Sequence, residues 1–223
     1  MLGVMSSEPA ARKLVRQAVS LGKTRGPAAD DRFREVVRLC TEAITIDPAY
    51  AKAYNHRGFA KSKLNDPLGA QEDFTKAIEL EPEDATARKN RGYARNALSE
   101  YKEAIEDLDQ AIRLFSEYAT AYYARGFAKA NLQRYDAAIA DYDRAIELAG
   151  RNTRLKAQAH NQRGHAKSKQ NKHAEAIADY DQAIELNPKH RAAYLNRSEA
   201  HTQAGNEEAA RKDTAQATAL AGG

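Results

Sequence analysis

The residues of this chain that could do chemistry are six histidines, one cysteine and many charged side chains. The histidines are His56, His160, His165, His173, His190 and His201. No two of them are spaced i, i+4, so no two imidazoles would share one helical face as a zinc site requires. The chain also lacks the HExxH and GxSxG motifs and a glycine-rich phosphate loop. The sequence therefore predicts no catalytic residue, no metal site and no cofactor, and we expect a protein that is not an enzyme.

Composition excludes further classes of protein. The 223 residues carry a net charge of +4, which is too weak a bias to indicate nucleic-acid binding by itself. The single Cys40 excludes an internal disulfide framework, and we interpret it as a buried apolar thiol. No apolar run approaches the roughly 20 residues that cross a bilayer, and the N-terminal segment lacks the apolar core of a secretory signal. We expect a mostly helical, cytoplasmic protein with no membrane partner.

Similar segments recur along the chain with a period of about 34 residues. They begin at Ala53, Ala87, Ala121, Ala159 and, more weakly, Ala193. Each period contains two stretches whose apolar residues have helical spacing. Between two such stretches, Asp66 followed by Pro67 is typical of a helix N-cap with proline at the first helical position. Each period is therefore predicted to be a pair of amphipathic helices, a first and a second helix.

The repeated residues resemble the tetratricopeptide repeat. Counted from Ala51, the first period has the family's residues at positions 4, 8, 20, 24, 27 and 32, namely Tyr54, Gly58, Ala70, Phe74, Ala77 and Pro82. The second period departs from the pattern at Arg88, Leu108 and Ser116, and the last at Ser198, Thr214 and Gly222. The resemblance implies an all-α fold, an α-solenoid of antiparallel helix pairs wound as a right-handed superhelix.

The predicted organisation is a single solenoid over residues 1–223. Its well-matched repeats span 51–84, 85–118, 119–156 and 157–190, with a degenerate leading repeat at 9–50 and a capping repeat at 191–223. In the leading repeat the helices are expected over about Pro9–Leu21 and Val36–Pro48, separated by an irregular insertion, GKTRGPAADD. The four extra residues around Ala149–Lys156 are expected to lengthen a helix or a turn.

Charge is sorted between the two helices of each period. The five first helices from residue 51 onward contain fifteen Lys or Arg and one acid, whereas the five second helices contain nineteen acids and six bases. In the family that the chain resembles, first helices line the concave surface. The resemblance therefore implies a basic groove and an acidic outer surface.

Part of this charge is expected to be structural. Position 7 is arginine in all five repeats (Arg57, Arg91, Arg125, Arg163, Arg197) and position 23 is aspartate (Asp73, Asp107, Asp141, Asp179, Asp213). Both positions flank the packing stripes of their helices, and charges at a buried edge are normally paired. We therefore expect repeated ion pairs between the two helices. The position-11 series Lys61, Arg95, Lys129, Lys167 and His201 is interpreted as structural too.

The positions that face the groove in the family carry amides, rings and lysines. Amides can bond a peptide backbone, rings offer contact area, and lysines attract acids. The predicted peptide-binding residues are Lys52, Asn55, His56, Phe59, Lys63, Lys89, Asn90, Tyr93, Asn96, Tyr123, Phe127, Asn131, Asn161, His165 and Lys169. The rings at position 9 (Phe59, Tyr93, Phe127, His165) leave two alternatives open, contact with a ligand or packing against adjacent first helices.

The sequence thus predicts a non-catalytic scaffold or adaptor that binds an acidic peptide segment of another protein along residues 51–170. The less favoured alternative is a nucleic-acid-binding solenoid that stacks bases on Phe59, Tyr93 and Phe127. Of the residues with which related domains hold the C-terminal carboxylate of chaperones, only Asn90 has a match, so no such clamp is expected. The sequence indicates no oligomeric state.

Overall fold

The computed structural model of the chain describes residues 8–23 and 29–221. These residues form twelve helices and no strand. The helices are α1 (Glu8–Lys23), α2 (Ala29–Ile46), α3 (Ala51–Lys63), α4 (Pro67–Leu80), α5 (Ala85–Ala97), α6 (Tyr101–Leu114), α7 (Ala119–Asn131), α8 (Tyr135–Leu148), α9 (Thr153–Lys169), α10 (His173–Leu186), α11 (Arg191–Gln203) and α12 (Glu207–Ala219). The predicted all-α helical-repeat fold is confirmed, whereas the exact repeat boundaries stay a prediction.

The chain divides into two compact units between Phe115 and Ser116. Unit 1 contains α1 to α6 and unit 2 contains α7 to α12. Within a unit each helix contacts the next one, α3 also contacts α1 and α5, and α9 also contacts α7 and α11. Among the described residues, no even-numbered helix contacts another even-numbered helix of its unit. The first helices of each unit therefore lie side by side, and we call the surface that they form the first-helix face.

The leading helix pair is more regular than the sequence predicted. Helix α2 begins at Ala29, seven residues before the expected start at Val36. Asp30 and Asp31 lie in its first turn, where carboxylates stabilise a helix N-terminus. Half of the expected insertion is therefore helical, and its residues 24–28 lie outside the described part of the chain. Farther along, α9 has 17 residues where α7 has 13, so the extra residues lengthen a helix.

In four first helices, α3, α5, α7 and α9, a glycine faces a large side chain of the second helix. A Cβ atom added at Gly126 would lie 2.8 Å from Cε1 of Tyr142, and one added at Gly58 would lie 2.9 Å from Cε1 of Phe74. Gly92 faces Leu108 and Gly164 faces Tyr180 in the same way. These second-helix side chains are almost completely buried. The close approach of the two helices thus depends on the missing glycine side chain.

Beside this contact, a buried aspartate joins the two helices of each pair from α3 onward. Asp73 is 3% exposed and accepts hydrogen bonds from Nε and Nη2 of Arg57. Lys61 lies 2.9 Å from its other oxygen. The same Arg–Asp pair recurs as Arg91–Asp107, Arg125–Asp141, Arg163–Asp179 and Arg197–Asp213. Arg95, Lys129 and Lys167 take the place of Lys61 in three of the pairs.

Four of these arginines also contact the second helix of the preceding pair. Nη1 of Arg57 donates to Oγ1 of Thr41 at 3.2 Å, and Nη1 of Arg91 donates to Oγ1 of Thr75 at 3.2 Å. In unit 2, Arg163 and Arg197 reach Asp143 and Asp181 at 2.5 Å. Each of these guanidinium groups therefore holds its own helix pair closed and joins it to the pair before.

The glycine contact can be tested with Gly126→Ala. Overpacking costs about 1–3 kcal/mol and opposes the gain of about 1 kcal/mol in helix propensity, so we expect a net loss of about 1 kcal/mol in the free energy of unfolding. Urea denaturation of the full chain measures it. Gly22→Ala is the control, because a Cβ atom added at Gly22 would lie 4.0 Å from Cγ2 of Val36, an ordinary van der Waals contact. Gly22→Ala should not lower the free energy of unfolding. Equal losses in Gly22→Ala and Gly126→Ala would contradict the packing argument.

The buried aspartate can be tested with Asp179→Asn. Burial would raise the pKa of Asp179, but hydrogen bonds from His160, Arg163 and Lys167 outweigh burial and hold the pKa well below 3.8. A depressed pKa contributes stability that is present above 3.8 and is lost as the pH falls towards the folded value. We therefore expect the variant to lose about 3 kcal/mol at neutral pH. The difference from the unmodified chain should shrink as the pH falls below 3.8.

Urea midpoints across this pH range measure the effect. Glu147→Gln is the control, because its ion pair with Arg144 is more than 40% exposed on both sides, and exposed pairs contribute about 0–1 kcal/mol. If Asp179→Asn lowers the free energy of unfolding no more than the control does, the buried carboxylate does not hold the helix pair together.

Candidate functional site

The first-helix face of unit 1 contains a groove between α1, α3, α5 and the start of α2. Its volume is about 350 Å³. We call it the unit 1 groove, and its lining residues are Ala18, Val19, Gly22, Phe33, Val36, Asn55, His56, Phe59, Thr86, Lys89 and Asn90. Five of these are predicted peptide-binding residues, and no carboxylate is among them. The groove thus offers rings, amides and a cation to a ligand.

Two asparagines fix the position of α3 relative to α5 in this groove. Nδ2 of Asn90 donates to Oδ1 of Asn55 at 3.0 Å, and Nδ2 of Asn55 donates to Oδ2 of Asp84 at 3.1 Å. Asp84 in turn caps α5 by accepting from the backbone N–H groups of Thr86 and Ala87. A carboxamide has two donor hydrogens and two lone pairs, so these bonds leave capacity for a peptide backbone.

Phe59 both packs against a neighbour and faces solvent. Its ring meets the edge of Phe33 at 6.4 Å between centroids, and Nζ of Lys63 lies 5.2 Å from its ring centre. It is nevertheless 42% exposed. Phe59 therefore packs against α2, a second helix, and its contact with a ligand stays a prediction. Sequence analysis missed Phe33, whose helical spacing to Val36 is the feature that could have placed it in the longer α2.

Next to the groove, cations and carboxylates are mixed. A cavity of about 610 Å³ brings Lys52 together with Arg12 and Arg16, and Asp47 and Glu81 line it as well. Sequence analysis did not identify the two arginines, which lie one helical turn apart on α1 in the degenerate repeat. The first-helix face of unit 1 is therefore less uniformly basic than the residue counts predicted.

Several predicted peptide-binding residues lie outside the unit 1 groove. Tyr93 is 37% exposed on α5 and does not line it. Asn96 and Asn161 are buried, at 8% and 6% exposure, so the expectation that they face a ligand is wrong. For Asn161 the reason is the packing of α9 on α11, since its Oδ1 accepts from Nδ2 of Asn196 at 3.0 Å. This bond repeats the one between Asn55 and Asn90.

Unit 2 has a smaller pocket on its own first-helix face. Its volume is about 290 Å³, and we call it the unit 2 pocket. Its lining residues are Phe127, Ala130, Asn131, Gln133, Tyr135, Tyr142, Gln162 and His165. Phe127, Asn131 and His165 are predicted binding residues, and Lys169 is exposed one helical turn beyond His165. Nδ2 of Asn131 donates to the backbone oxygen of Phe127 at 2.9 Å.

Tyr142, which lines the unit 2 pocket, packs against a second tyrosine, Tyr123. The rings of Tyr123 and Tyr142 pack at 6.0 Å between centroids, and Tyr123 hydrogen-bonds Gln162. Burial raises the pKa of both phenols, so both are protonated at neutral pH and can donate. The hydroxyl of Tyr142 is buried and has no hydrogen-bond partner among the described residues. Sequence analysis treated Tyr142 as a packing residue only.

His165 is neutral at neutral pH. Burial lowers its pKa below 6.5, the positive charge of Lys169 lowers it further, and Glu199 opposes the shift. The imidazole can then donate from one ring nitrogen and accept at the other. The unit 2 pocket is thus lined by neutral hydrogen-bonding groups, with a cation nearby.

The environment of His165 can be tested by NMR titration. We expect a pKa below 6.5 in the unmodified chain, a higher pKa in Lys169→Gln and a lower one in Glu199→Gln, because the two changes remove charges of opposite sign. His190, whose pKa is lowered mainly by burial, is the internal control and should not respond. An unchanged pKa of His165 in Lys169→Gln would contradict the proximity of the two side chains.

The described residues offer little else for chemistry. Within them, no three His, Cys, Asp or Glu side chains are grouped as a metal ion would need. Cys40 is completely buried, and burial raises its pKa to about 12, so its thiolate is not available as a nucleophile. None of the described helices is long and apolar enough to span a membrane.

Comparison with known families finds four matches, all described as tetratricopeptide or TPR repeats. They cover residues 57–109, 92–133, 119–152 and 157–190, which together make up more than half of the chain. No curated protein sequence matches the chain.

Several solved structures are similar to the chain. MamA is 26% identical with a TM-score of 0.63, and the match covers 73% of this chain and 93% of MamA. YrrB, described as a TPR protein with an unusual peptide-binding site, is 25% identical with a TM-score of 0.62, over 81% of this chain and 91% of YrrB. The type IV pilus biogenesis factor PilW has a TM-score of 0.80 over 94% of this chain and 93% of PilW; at 19% identity this match concerns the fold alone.

Proposed function

The chain belongs to the tetratricopeptide repeat family, and we propose that it is a non-catalytic scaffold that binds peptide segments of another protein on its first-helix faces. The unit 1 groove is the main site in this proposal. The similarity to YrrB, a TPR protein with a peptide-binding site, supports the same class of function.

The observation that carries the proposal is the lining of the unit 1 groove. Phe59 presents a ring that is 42% exposed although Phe33 holds it in place, and pre-organised aromatic side chains are typical anchors at protein interfaces. Asn55 and Asn90 are fixed beside it with hydrogen-bonding capacity left over. An extended peptide could therefore bond to the amides through its backbone and place a side chain on the ring.

We further propose that the bound segment is acidic. Lys89 lines the groove, Lys63 lies over the ring of Phe59, and Lys52 is exposed beside the groove, whereas no carboxylate lines the groove itself. Asp47 and Glu81 lie in the cavity next to Lys52 and would repel acidic residues there. The acidic residues of a ligand are therefore expected to lie near Lys63 and Lys89.

The proposal can be tested with a phage library of random dodecapeptides selected on the full chain. We expect the selected peptides to be enriched in Asp and Glu. A fluorescein-labelled copy of the strongest binder should bind Lys89→Glu about tenfold more weakly, because a charge reversal replaces attraction by repulsion. Fluorescence polarisation gives the affinity. Lys102→Glu is the matched control, since Lys102 is exposed on the second helix α6 and should not affect binding.

Three outcomes would contradict parts of this proposal. Failure to enrich any peptide over an unrelated helical protein would overturn peptide binding. Enrichment without acids, or equal effects of Lys89→Glu and Lys102→Glu, would overturn the acidic ligand. Preferential binding of a thymidine 12-mer, with an affinity that falls steeply with salt, would instead favour the nucleic-acid alternative, because nucleic acids release counterions on binding.

A further inference from the structure

We propose that the unit 2 pocket receives one acidic side chain of the bound peptide, whose carboxylate accepts a hydrogen bond from the hydroxyl of Tyr142. The inference rests on the proposed peptide binding and assigns a specificity-determining role to a residue of the packed core.

The first observation is a buried hydroxyl that the protein itself does not use. Tyr142 is 0% exposed, and its hydroxyl has no hydrogen-bond partner among the described residues. Nearly all buried polar groups in proteins are paired, because an unpaired one loses its bonds to water without compensation. Tyr142 also lines the unit 2 pocket, so this pocket is the side from which a ligand group would approach the residue. A ligand atom is therefore the natural partner of this hydroxyl.

Packing of the helix pair does not explain the hydroxyl. The equivalent position of the other pairs is occupied by Phe74, Leu108 and Tyr180, and each of these fills the space beside its glycine. Phe74 and Leu108 show that a side chain without a hydroxyl closes the helix pair equally well. Tyr180 carries the same oxygen atom, but of these two tyrosines it is Tyr142 that lines the unit 2 pocket.

The chemistry of the pocket favours a hydrogen-bond acceptor that carries negative charge. Tyr142 is protonated and donates, and the amides of Gln133 and Gln162 and the imidazole of His165 add donor groups. No carboxylate lines the pocket, and Lys169 lies close enough to His165 to lower its pKa. An acidic side chain in the pocket would therefore meet these hydrogen-bond donors and have the cation of Lys169 nearby.

Two carboxylates on neighbouring elements are already engaged, whereas Glu199 lies close enough to His165 to raise its pKa. Asp141 is buried in its ion pairs with Arg125 and Lys129, and Asp136 accepts from Nε2 of Gln170 at 2.8 Å. They therefore oppose an acidic ligand less than free carboxylates would. At about 290 Å³ the pocket is at the small end of ligand sites, which suits one side chain rather than a helix.

The test compares Tyr142→Phe with Tyr180→Phe on the full chain, using the strongest peptide from the dodecapeptide library. Tyr142→Phe should bind the peptide about tenfold more weakly, because a hydrogen bond to a charged group is lost. Its melting temperature should be equal or higher, because no partner inside the protein loses a bond. Tyr180→Phe removes the same atom one pair later and should leave peptide affinity unchanged.

Peptide variants locate the carboxylate. Each acidic residue of the peptide is replaced in turn by glutamine, and both forms of the protein are titrated. At one position the replacement should weaken binding of the peptide about tenfold with the unmodified chain and less than twofold with Tyr142→Phe. The effect is smaller there because Tyr142→Phe has already removed the interaction.

Some results would overturn this inference and leave the proposed function standing. These are a peptide that binds with unchanged affinity to Tyr142→Phe, equal losses in both tyrosine variants, or no coupled acidic position. A lower melting temperature of Tyr142→Phe would show that the hydroxyl serves the fold instead. A library that yields no binding peptide would overturn the proposed function and this inference together.

Discussion

A buried carboxylate bonded to an arginine and, in most pairs, to a second cation closes each helix pair from α3 onward. Asp73, at 3% exposure, accepts from Arg57 and Lys61, and the arginine extends to Thr41 of the preceding helix pair. Removing one partner of such a pair leaves a buried charge unbalanced, which costs about 3–5 kcal/mol, whereas apolar replacement of the whole group is often neutral. Its contribution is therefore geometric: within a unit, a guanidinium group that bonds to two second helices sets how its pair stacks on the one before.

This constraint determines how much charge is left for a ligand. Of the fifteen cations on the first helices, the five arginines of position 7 and the four cations of position 11 are bonded to buried aspartates. Under the proposed function, a ligand on the first-helix faces would therefore meet rings, amides and a few cations rather than a broad basic field. In unit 1, Lys89 and the exposed ring of Phe59 both line the groove.

The two units present different chemistry on the same architecture. The unit 1 groove is bounded by an additional helix pair, α1 and α2, whose Phe33 supports Phe59. The unit 2 pocket is smaller, and its lining includes Tyr142, the core residue that packs beside Gly126. Under the proposed role of Tyr142, repeats that fold by the same rules would differ in function through a single atom.

The sequence by itself determined the helix pairs, their period and the Arg–Asp partners, because these follow from local spacing and from residues that recur in every repeat. It did not place Asn96 and Asn161, which it assigned to the ligand face and which are buried, nor the hydroxyl of Tyr142 and the rim residue Phe33. These depend on how neighbouring helices meet. A side chain on the edge of a helical stripe has the same spacing whether it faces solvent or the next helix, and only the packed structure distinguishes the two.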